Sequence, residues 1–216
     1  TEITVGLPRP IIAGTMLGEA APSETVKTSS AKPGNDVILT SGIAIEGTAI
    51  IARESRDDLL AAGLSEAIIS SGSKFLDSPG ISIVKAAKIA TETRHVTAMH
   101  DPTEGGLAGA LDEVARASRT GITIDADKVT IYPETQAICA ALGLDPWGLI
   151  ASGALLITSA PDGSNSIIEA LTRSGISASV IGKITEPEEG LVCTTKGTKE
   201  PLPNFDRDEI ARLYGS

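Results

Sequence analysis

One stretch, residues 100–107, constrains the fold more than any other part of the chain. It reads His-Asp-Pro-Thr-Glu-Gly-Gly-Leu and joins a short apolar run to a segment with helical periodicity. Apolar residues recur there at intervals of three and four, from Leu107 to Ala115, as on one face of a helix. We predict that Asp101 and Thr103 cap the first helical turn, because their side-chain oxygens can accept its free N–H groups. The stretch therefore predicts a strand, a Gly-Gly turn and a helix, in that order.

Two adjacent glycines, Gly105 and Gly106, leave the start of the predicted helix without side chains. Backbone N–H groups at a helix N-terminus attract anions, although the helix field alone contributes only about 0.3–1 kcal/mol. The turn therefore has two interpretations. It is either a site for phosphate or another anionic ligand, flanked by Asp101, Thr103 and Glu104, or a capped turn whose glycines allow close packing.

Composition limits what the chain can bind. Hydrophobic residues make up 41% of the 216 positions and aromatic residues only 2%, so Ala, Ile, Leu and Val must build the core. A formal net charge of −10 argues against a nucleic-acid-binding surface. The lack of a long apolar run or a signal peptide predicts a cytoplasmic protein without membrane contact. Cys139 and Cys193 show no CxxC spacing, so neither a metal site nor a disulfide framework is predicted.

Short apolar runs alternate with helical segments along most of the chain. Five runs are predicted to share one sheet: 37–41, 95–99, 121–125, 154–158 and 177–184. A sixth run, 191–194, follows the fifth directly, which indicates a mixed sheet. Helices are predicted at 43–53, 57–75, from Pro79, from Pro133 to Gly143, and at 164–173. The alternation predicts an α+β fold, an α/β/α three-layer sandwich around a mixed sheet.

A second strand-to-helix turn at Ser41 and Gly42 adds two candidate ligand-binding residues. Arg9, between two prolines, and His100, next to Asp101, are candidates for a cleft between domains. His100 can transfer a proton near neutral pH, or it can be a solvated residue at a strand end. Two histidines and two isolated cysteines do not assemble a nucleophile–base set, so catalytic residues stay unassigned.

Residues 101–107 resemble the Asp-x-Thr-x-Gly-Gly-Leu turn of the aminoimidazole ribonucleotide (AIR) synthetase superfamily, also called PurM-like. Within that superfamily they most resemble the HypE-type hydrogenase maturation proteins. Three further stretches, 33–42, 143–157 and 180–184, are similar to the C-terminal domain of the same family. The resemblance covers about residues 31–192 and implies the three-layer fold.

The resemblance implies an ATP-dependent enzyme that activates an amide-like or acid oxygen by phosphorylation. It favours the Gly105-Gly106 turn as a loop that binds phosphate or substrate, and it implies that ATP and Mg²⁺ are held mainly by an N-terminal domain that this chain lacks. The chain is expected to be inactive as given and to bind no cofactor tightly. Its tail lacks the cysteine that ends the HypE-type proteins, so the substrate is unassigned. The alternative is a non-catalytic binding or regulatory module that retains the fold.

The resemblance also divides the chain into three parts. Residues 1–22 look like a remnant of the N-terminal ATP-binding domain in extended strands, 23–200 like the C-terminal domain, and 201–216 like an acidic, partly helical tail. The implied partners are the N-terminal domain, a second copy in a homodimer and a small-molecule substrate. The apolar ribbon 4–17 is expected to pack on a second chain or be poorly ordered, because its own domain is absent.

Overall fold

A computed structural model describes residues 14–15, 17–22 and 25–214. Seven strands form one sheet in the order β2-β4-β1-β5-β3-β6-β7. They are β1 (Asp36–Thr40), β2 (Val96–His100), β3 (Gly121–Asp125), β4 (Leu156–Ser159), β5 (Ala178–Thr185), β6 (Leu191–Thr195) and β7 (Thr198–Pro201). The pair β3–β6 is parallel and every other pair is antiparallel, so the predicted mixed sheet is confirmed.

Helices cover both faces of this sheet. In chain order they are α1 (Ile45–Glu54), α2 (Arg56–Ala61), α3 (Glu66–Gly72), α4 (Val84–Glu92), α5 (Gly106–Ser118), α6 (Pro133–Leu142), α7 (Pro161–Arg173) and α8 (Ala211–Tyr214). Helix α5 shares one apolar core with the sheet, and helices α4 and α7 share another with its opposite face. Helices α1, α2, α3 and α6 form a third cluster beside the sheet. The predicted three-layer α+β fold is therefore confirmed.

The continuous apolar run of strand β1 contributes side chains to the cores on both faces of the sheet. Side chains alternate along a strand, and Val37 and Leu39 enter the core under α5 while Ile38 enters the core under α4 and α7. All five residues of the strand are buried. A strand covered on both sides needs apolar residues at successive positions, which is why its sequence lacks polar alternation.

The five predicted strands do share one sheet, but the strands after them differ from the prediction. The sixth strand, β6, pairs with β3 and not with its sequence neighbour β5. Strand β7 was not predicted, since its four residues, Thr198–Pro201, are exposed and none of the first three is apolar. It pairs with β6 across the turn at Lys196-Gly197, where both residues have positive φ. A polar edge strand leaves no hydrophobic pattern in the sequence.

Two helix predictions are wrong in detail. The segment 57–75 is divided between α2 and α3, because Gly63 adopts φ +89° and ends the first helical stretch. Pro79 does not open a helix: it follows a cis peptide bond after Ser78, and α4 begins at Val84. The helix from Pro133 ends at Gly143 as predicted, with that glycine at φ +64°.

The acidic tail packs against the domain. Leu202 is buried in the sheet core, and Ile210 and Leu213 pack on the helical cluster. The predictions for Arg9 and for most of the ribbon 4–17 fall outside the described residues. Among the helices of the described part, none combines the length and apolarity needed to cross a membrane.

Candidate functional site

Both predicted glycine turns leave the same edge of the sheet. Strands β1 and β2 are each antiparallel to β4, and β1 and β3 are each antiparallel to β5. Strands β1, β2 and β3 therefore run in one direction, and their carboxyl ends lie at one edge. The 41–44 turn after β1 and the 101–105 turn after β2 start there, so the fold places the two candidate regions on the same side of the molecule.

The helix after the second turn begins later than predicted. Gly105, at φ +81°, is the residue before the helix, and no side chain caps it from within the turn. The predicted capping roles of Asp101 and Thr103 are therefore wrong. A capping side chain must belong to the residue that directly precedes the helix, and these two residues lie too early. Only the backbone of Thr103 contributes, since its carbonyl oxygen accepts the N–H groups of Gly106 (3.1 Å) and Ala151 (3.3 Å).

Gly106 is packed against backbone. A Cβ atom there would lie 2.5 Å from the carbonyl oxygen of Trp147 and 2.9 Å from the amide nitrogen of Leu149. The same carbonyl of Trp147 accepts the N–H of Ala108 at 3.0 Å. Close approach of two backbone segments thus accounts for this glycine. Its role, and that of Gly105, in binding a ligand stays a prediction.

The N–H of Gly105 already has an anionic partner. It donates to Oδ2 of Asp208, from the acidic tail, at 2.7 Å. A carboxylate thus occupies the position beside the helix N-terminus where an anion was predicted, and it belongs to the chain itself. Sequence reasoning missed Asp208 because charged residues near a chain end are typical of a solvated tail. The only signal in the sequence was its place among apolar residues that turn out to pack on the domain.

The 41–44 turn is built differently. Ser41 and Ala44 both adopt φ +57° although neither is a glycine. The N–H of Ser41 donates to the carbonyl of Ser177 at 2.8 Å. Gly42 is buried, and a Cβ atom there would lie 2.6 Å from the ring of Tyr132. Burial, and then the nearby charge of Glu134, raise the pKa of Tyr132, so this phenol stays neutral.

A short segment, residues 147–151, joins the two turns. Its Trp147 carbonyl and Ala151 amide bond the 103–108 region, as described above, and its Ile150 carbonyl accepts the N–H of Gly47 at 3.1 Å. Gly47 lies in α1, directly after the 41–44 turn, and it contacts the side chain of Leu149. The structure therefore brings Ser41 and Gly42 into one connected region with the 101–106 turn.

The exposed polar groups of this region are Asp101, Thr103 and Glu104. Within the part of the chain that the structure describes, their side chains make no hydrogen bond or ion pair. The sequence has no Lys or Arg between Arg94 and Arg116, so the turn itself offers no cation. The two carboxylates can accept hydrogen bonds from N–H donors, and the Thr103 hydroxyl can donate or accept one. None of the three side chains carries the positive charge that would hold a phosphate.

His100 has protein partners. Its Nε2 lies 2.7 Å from a carboxylate oxygen of Glu113 on α5, and its Nδ1 lies 3.3 Å from the hydroxyl of Thr28. The side chain is 20% exposed, so the alternative of a solvated strand-end residue is wrong. Helix α5 and the short segment around Thr28 enclose the ring. A role in proton transfer stays a prediction.

Neither cysteine offers a reactive thiol at this edge. Both are buried. Burial, with smaller contributions from the charges of Asp145 and Glu209, raises the pKa of Cys139 to about 12, and the pKa of Cys193 is also raised by burial. A thiol with a raised pKa is a poor nucleophile, so these residues serve as small core side chains.

Comparison with known proteins identifies the family of this domain. Residues 32–193 match the family model of the AIR synthase related protein, C-terminal domain. A carbamoyl dehydratase HypE of Rhizobium leguminosarum bv. viciae is 30% identical over 178 residues, which are 82% of this chain and 48% of that protein. A putative hydrogenase expression/formation protein of Methanocaldococcus jannaschii is 29% identical over 90% of this chain and 55% of its own length.

A solved structure shows the same fold. The crystal structure of a hydrogenase maturation protein HypE in complex with ATP superimposes with a TM-score of 0.67 at 20% identity, over 89% of this chain and 57% of that one. The chain thus spans about half the length of the relatives it matches. It belongs to the AIR synthase-related family, and the matched residues are the C-terminal domain of that family.

Proposed function

We propose that this domain forms the substrate side of an ATP-dependent enzyme that phosphorylates an amide-like or acid oxygen of a small molecule. The relatives support the reaction class, since one is named a carbamoyl dehydratase and another was crystallised with ATP. The observation that carries the proposal is the exposed group of Asp101, Thr103 and Glu104 within the family-matched residues, at the sheet edge that also presents Ser41.

Each of these residues has a chemical role in the proposal. The carboxylate of Asp101 accepts N–H donors, which an amide-like substrate supplies, and the hydroxyl of Thr103 donates to or accepts from its oxygen. Glu104 adds a second negative charge, which favours a substrate that is not itself strongly anionic. Ser41 contributes a hydroxyl from the neighbouring turn, where Gly42 leaves room for the ring of Tyr132.

ATP and Mg²⁺ do not fit this domain alone. The two acidic side chains of the turn would repel a triphosphate, and no cation of the turn offsets them. Among the described residues, no group of three or more His, Cys, Asp or Glu side chains is arranged to hold a metal ion. The proposal therefore assigns ATP and Mg²⁺ mainly to an N-terminal domain outside the matched residues, and assigns that domain and a second copy of the protein as partners.

A non-catalytic binding or regulatory module is the second candidate. One observation favours it: both glycines of the 101–106 turn have structural explanations that involve no ligand. Gly106 packs on the 147–149 backbone, and the amide of Gly105 is bonded to Asp208. A protein that kept the fold and lost the chemistry would retain both contacts.

The test uses the full-length protein with Mg-ATP and a panel of small amides and carboxylates, with ADP release as the readout. Asp101→Asn should lower kcat/KM at least about tenfold, because it weakens a charge-assisted hydrogen bond to substrate. The melting temperature should not change, since Asp101 makes no bond in the described part of the chain. Asp57→Asn, at an exposed site on α2, is the matched control and should leave turnover unchanged.

Unchanged turnover in Asp101→Asn would contradict the assignment of the site. Absence of ADP release with every substrate, with Mg-ATP binding also absent, would favour the non-catalytic module. The 216-residue chain alone should give no binding heat with Mg-ATP at micromolar protein. Micromolar affinity corresponds to about 8 kcal/mol, and the turn lacks the cations and metal ligands that such binding requires.

A further inference from the structure

The C-terminal segment 202–214 lies across the region that joins the two turns. The ring of Phe205 covers Gly148, where a Cβ atom would lie 2.6 Å from its Cγ. The hydroxyl of Tyr214 lies 2.7 Å from that of Ser55, at the end of α1. The segment is therefore attached at both ends, and Asp208 lies between these attachments.

Asp208 bonds three separate backbone amides. Its Oδ2 accepts the N–H of Gly105 at 2.7 Å, and its Oδ1 accepts the N–H groups of Ile150 at 3.2 Å and Ile210 at 2.8 Å. One half-buried carboxylate thus connects the 101–106 turn, the 147–151 segment and the C-terminal segment. Hydrogen bonds to an ionised acceptor are roughly twice as strong as those between neutral groups.

Glu209 holds the same segment without touching the turn. It is buried, and its Oε2 accepts the N–H of Asp145 at 2.8 Å and bonds Nη1 of Arg212 at 2.7 Å. Its own N–H donates to the carbonyl of Gly148 at 3.0 Å. Loss of the Asp208 carboxylate therefore leaves the segment attached, so that the effect on the turn can be measured separately.

We infer that Asp208 is a positioning residue for the site, an inference that rests on the proposed function. Gly105 and Gly106 give the turn unusual backbone freedom, and no side chain within the turn caps the helix. The bond from Gly105 to Asp208 fixes the orientation of the peptide that follows Glu104. The exposed groups from Asp101 to Glu104 are held in place for substrate by that bond, together with the backbone bonds of Thr103.

The test compares Asp208→Asn with Asp206→Asn in the full-length protein. An asparagine side chain has one acceptor oxygen, so Asp208→Asn keeps the size but cannot accept on both sides. Asp206 is exposed, lies two residues away and makes no hydrogen bond in the described part of the chain, which makes it a matched control. Amide hydrogen exchange at Gly105 and Ile150 measures the contact, and the kcat and KM of ADP release measure its consequence.

Asp208→Asn should speed exchange at Gly105 or Ile150 about tenfold, with the helices elsewhere unchanged. It should lower kcat about tenfold while KM for ATP stays within twofold. Displacement of the exposed side chains of the turn slows the reaction of the substrate but does not change nucleotide binding. A purely structural role would lower the melting temperature and leave kcat unchanged at a temperature well below melting, and that result would overturn the inference. Unchanged exchange at both amides would also overturn it.

Failure of the proposed function gives a different result. If the wild-type protein shows no ADP release with any substrate, the proposed function fails, and faster exchange in Asp208→Asn would then show only that the contact exists. If the wild-type protein is active and Asp208→Asn has normal kcat, the positioning role alone is wrong.

Discussion

The turns that follow β1 and β2 make the same kind of connection with different kinds of residues. Each carries the chain from a strand into a helix through residues with positive φ. The 41–44 turn uses Ser41 and Ala44, which are not glycines, and buries three of its four residues. The 101–106 turn uses Gly105 and Gly106 and keeps Asp101, Thr103 and Glu104 exposed, and its Gly105 N–H donates to a carboxylate of the C-terminal segment.

This difference in residue type follows from how tightly each turn is packed. Non-glycine residues with positive φ store about 1–3 kcal/mol of strain each, which persists only where tight packing holds it. The buried 41–44 turn has that packing, from Tyr132 and from the backbone of Ser177. In the 101–106 turn the residues with positive φ are glycines, which avoid the strain, and at Gly106 the neighbouring 147–149 backbone leaves no room for a side chain. The 41–44 turn is therefore fixed by packing, whereas the 101–106 turn leaves three polar side chains exposed.

The largest effect should come from Gly106→Ala. Its Cβ would meet the backbone of Trp147 and Leu149 at a residue with φ +63°. Backbone strain and overpacking together should lower the free energy of unfolding by about 2–6 kcal/mol, measured by urea denaturation. Gly105→Ala has similar φ but only a contact at 3.6 Å, so it should cost about 1–2 kcal/mol. Equal losses in both variants would mean that overlap with the 147–149 backbone adds nothing to the destabilisation by Gly106→Ala.

A double-mutant cycle tests the link between the turns. Leu149 is fully buried, so Leu149→Ala should cost about 2–5 kcal/mol. Gly47→Ala alone should cost about 1–3 kcal/mol, because its Cβ meets the side chain of Leu149. In the Leu149→Ala background the same change should instead stabilise by up to about 1 kcal/mol, through helix propensity. Additive losses in chemical denaturation would show that the two residues do not couple.

A smaller loss is expected for Gly42→Ala. Its Cβ would lie 2.6 Å from the ring of Tyr132 and 3.0 Å from the carbonyl of Thr130. The ring can shift where the Gly106 neighbours cannot, so the cost should be about 1–3 kcal/mol by thermal or urea unfolding. Gly18→Ala, at a position with open space and no left-handed φ, is the control for the change in backbone freedom alone. A loss of stability no larger than that of the control would show that Gly42 is not needed for packing against Tyr132.

The smallest effect, and the only stabilising one in the wild-type background, is expected for Ser41→Gly. Removing the side chain relieves the strain at φ +57° and should raise the free energy of unfolding by about 0.5–1 kcal/mol. The same variant should lower ADP release by the full-length protein if the Ser41 hydroxyl contacts substrate. A stabilised variant with full activity would confine Ser41 to a structural role and leave the 101–106 turn as the ligand-binding region.

Much of the fold could be predicted because its signals are local. Strand β1 is a continuous apolar run, α5 shows helical periodicity, and Gly143 ends α6 where a glycine after a periodic segment predicts an end. Strand β7 and the start of α4 could not be predicted. The first is a polar edge strand that exists because β6 offers it a partner, and the second follows a bend whose geometry no periodicity encodes.

The candidate site divides in the same way. The sequence by itself determined that strands alternate with helices, that a Gly-Gly turn precedes α5, and that the turn carries Asp101, Thr103 and Glu104. Those features depend on neighbours in the chain. Only the tertiary structure decided that Asp208, 103 residues after Gly105, accepts the N–H of Gly105, and that Gly106 lies against the 147–149 backbone. Such contacts depend on the path of distant segments, because a carboxylate bonds whichever amide the fold brings within reach.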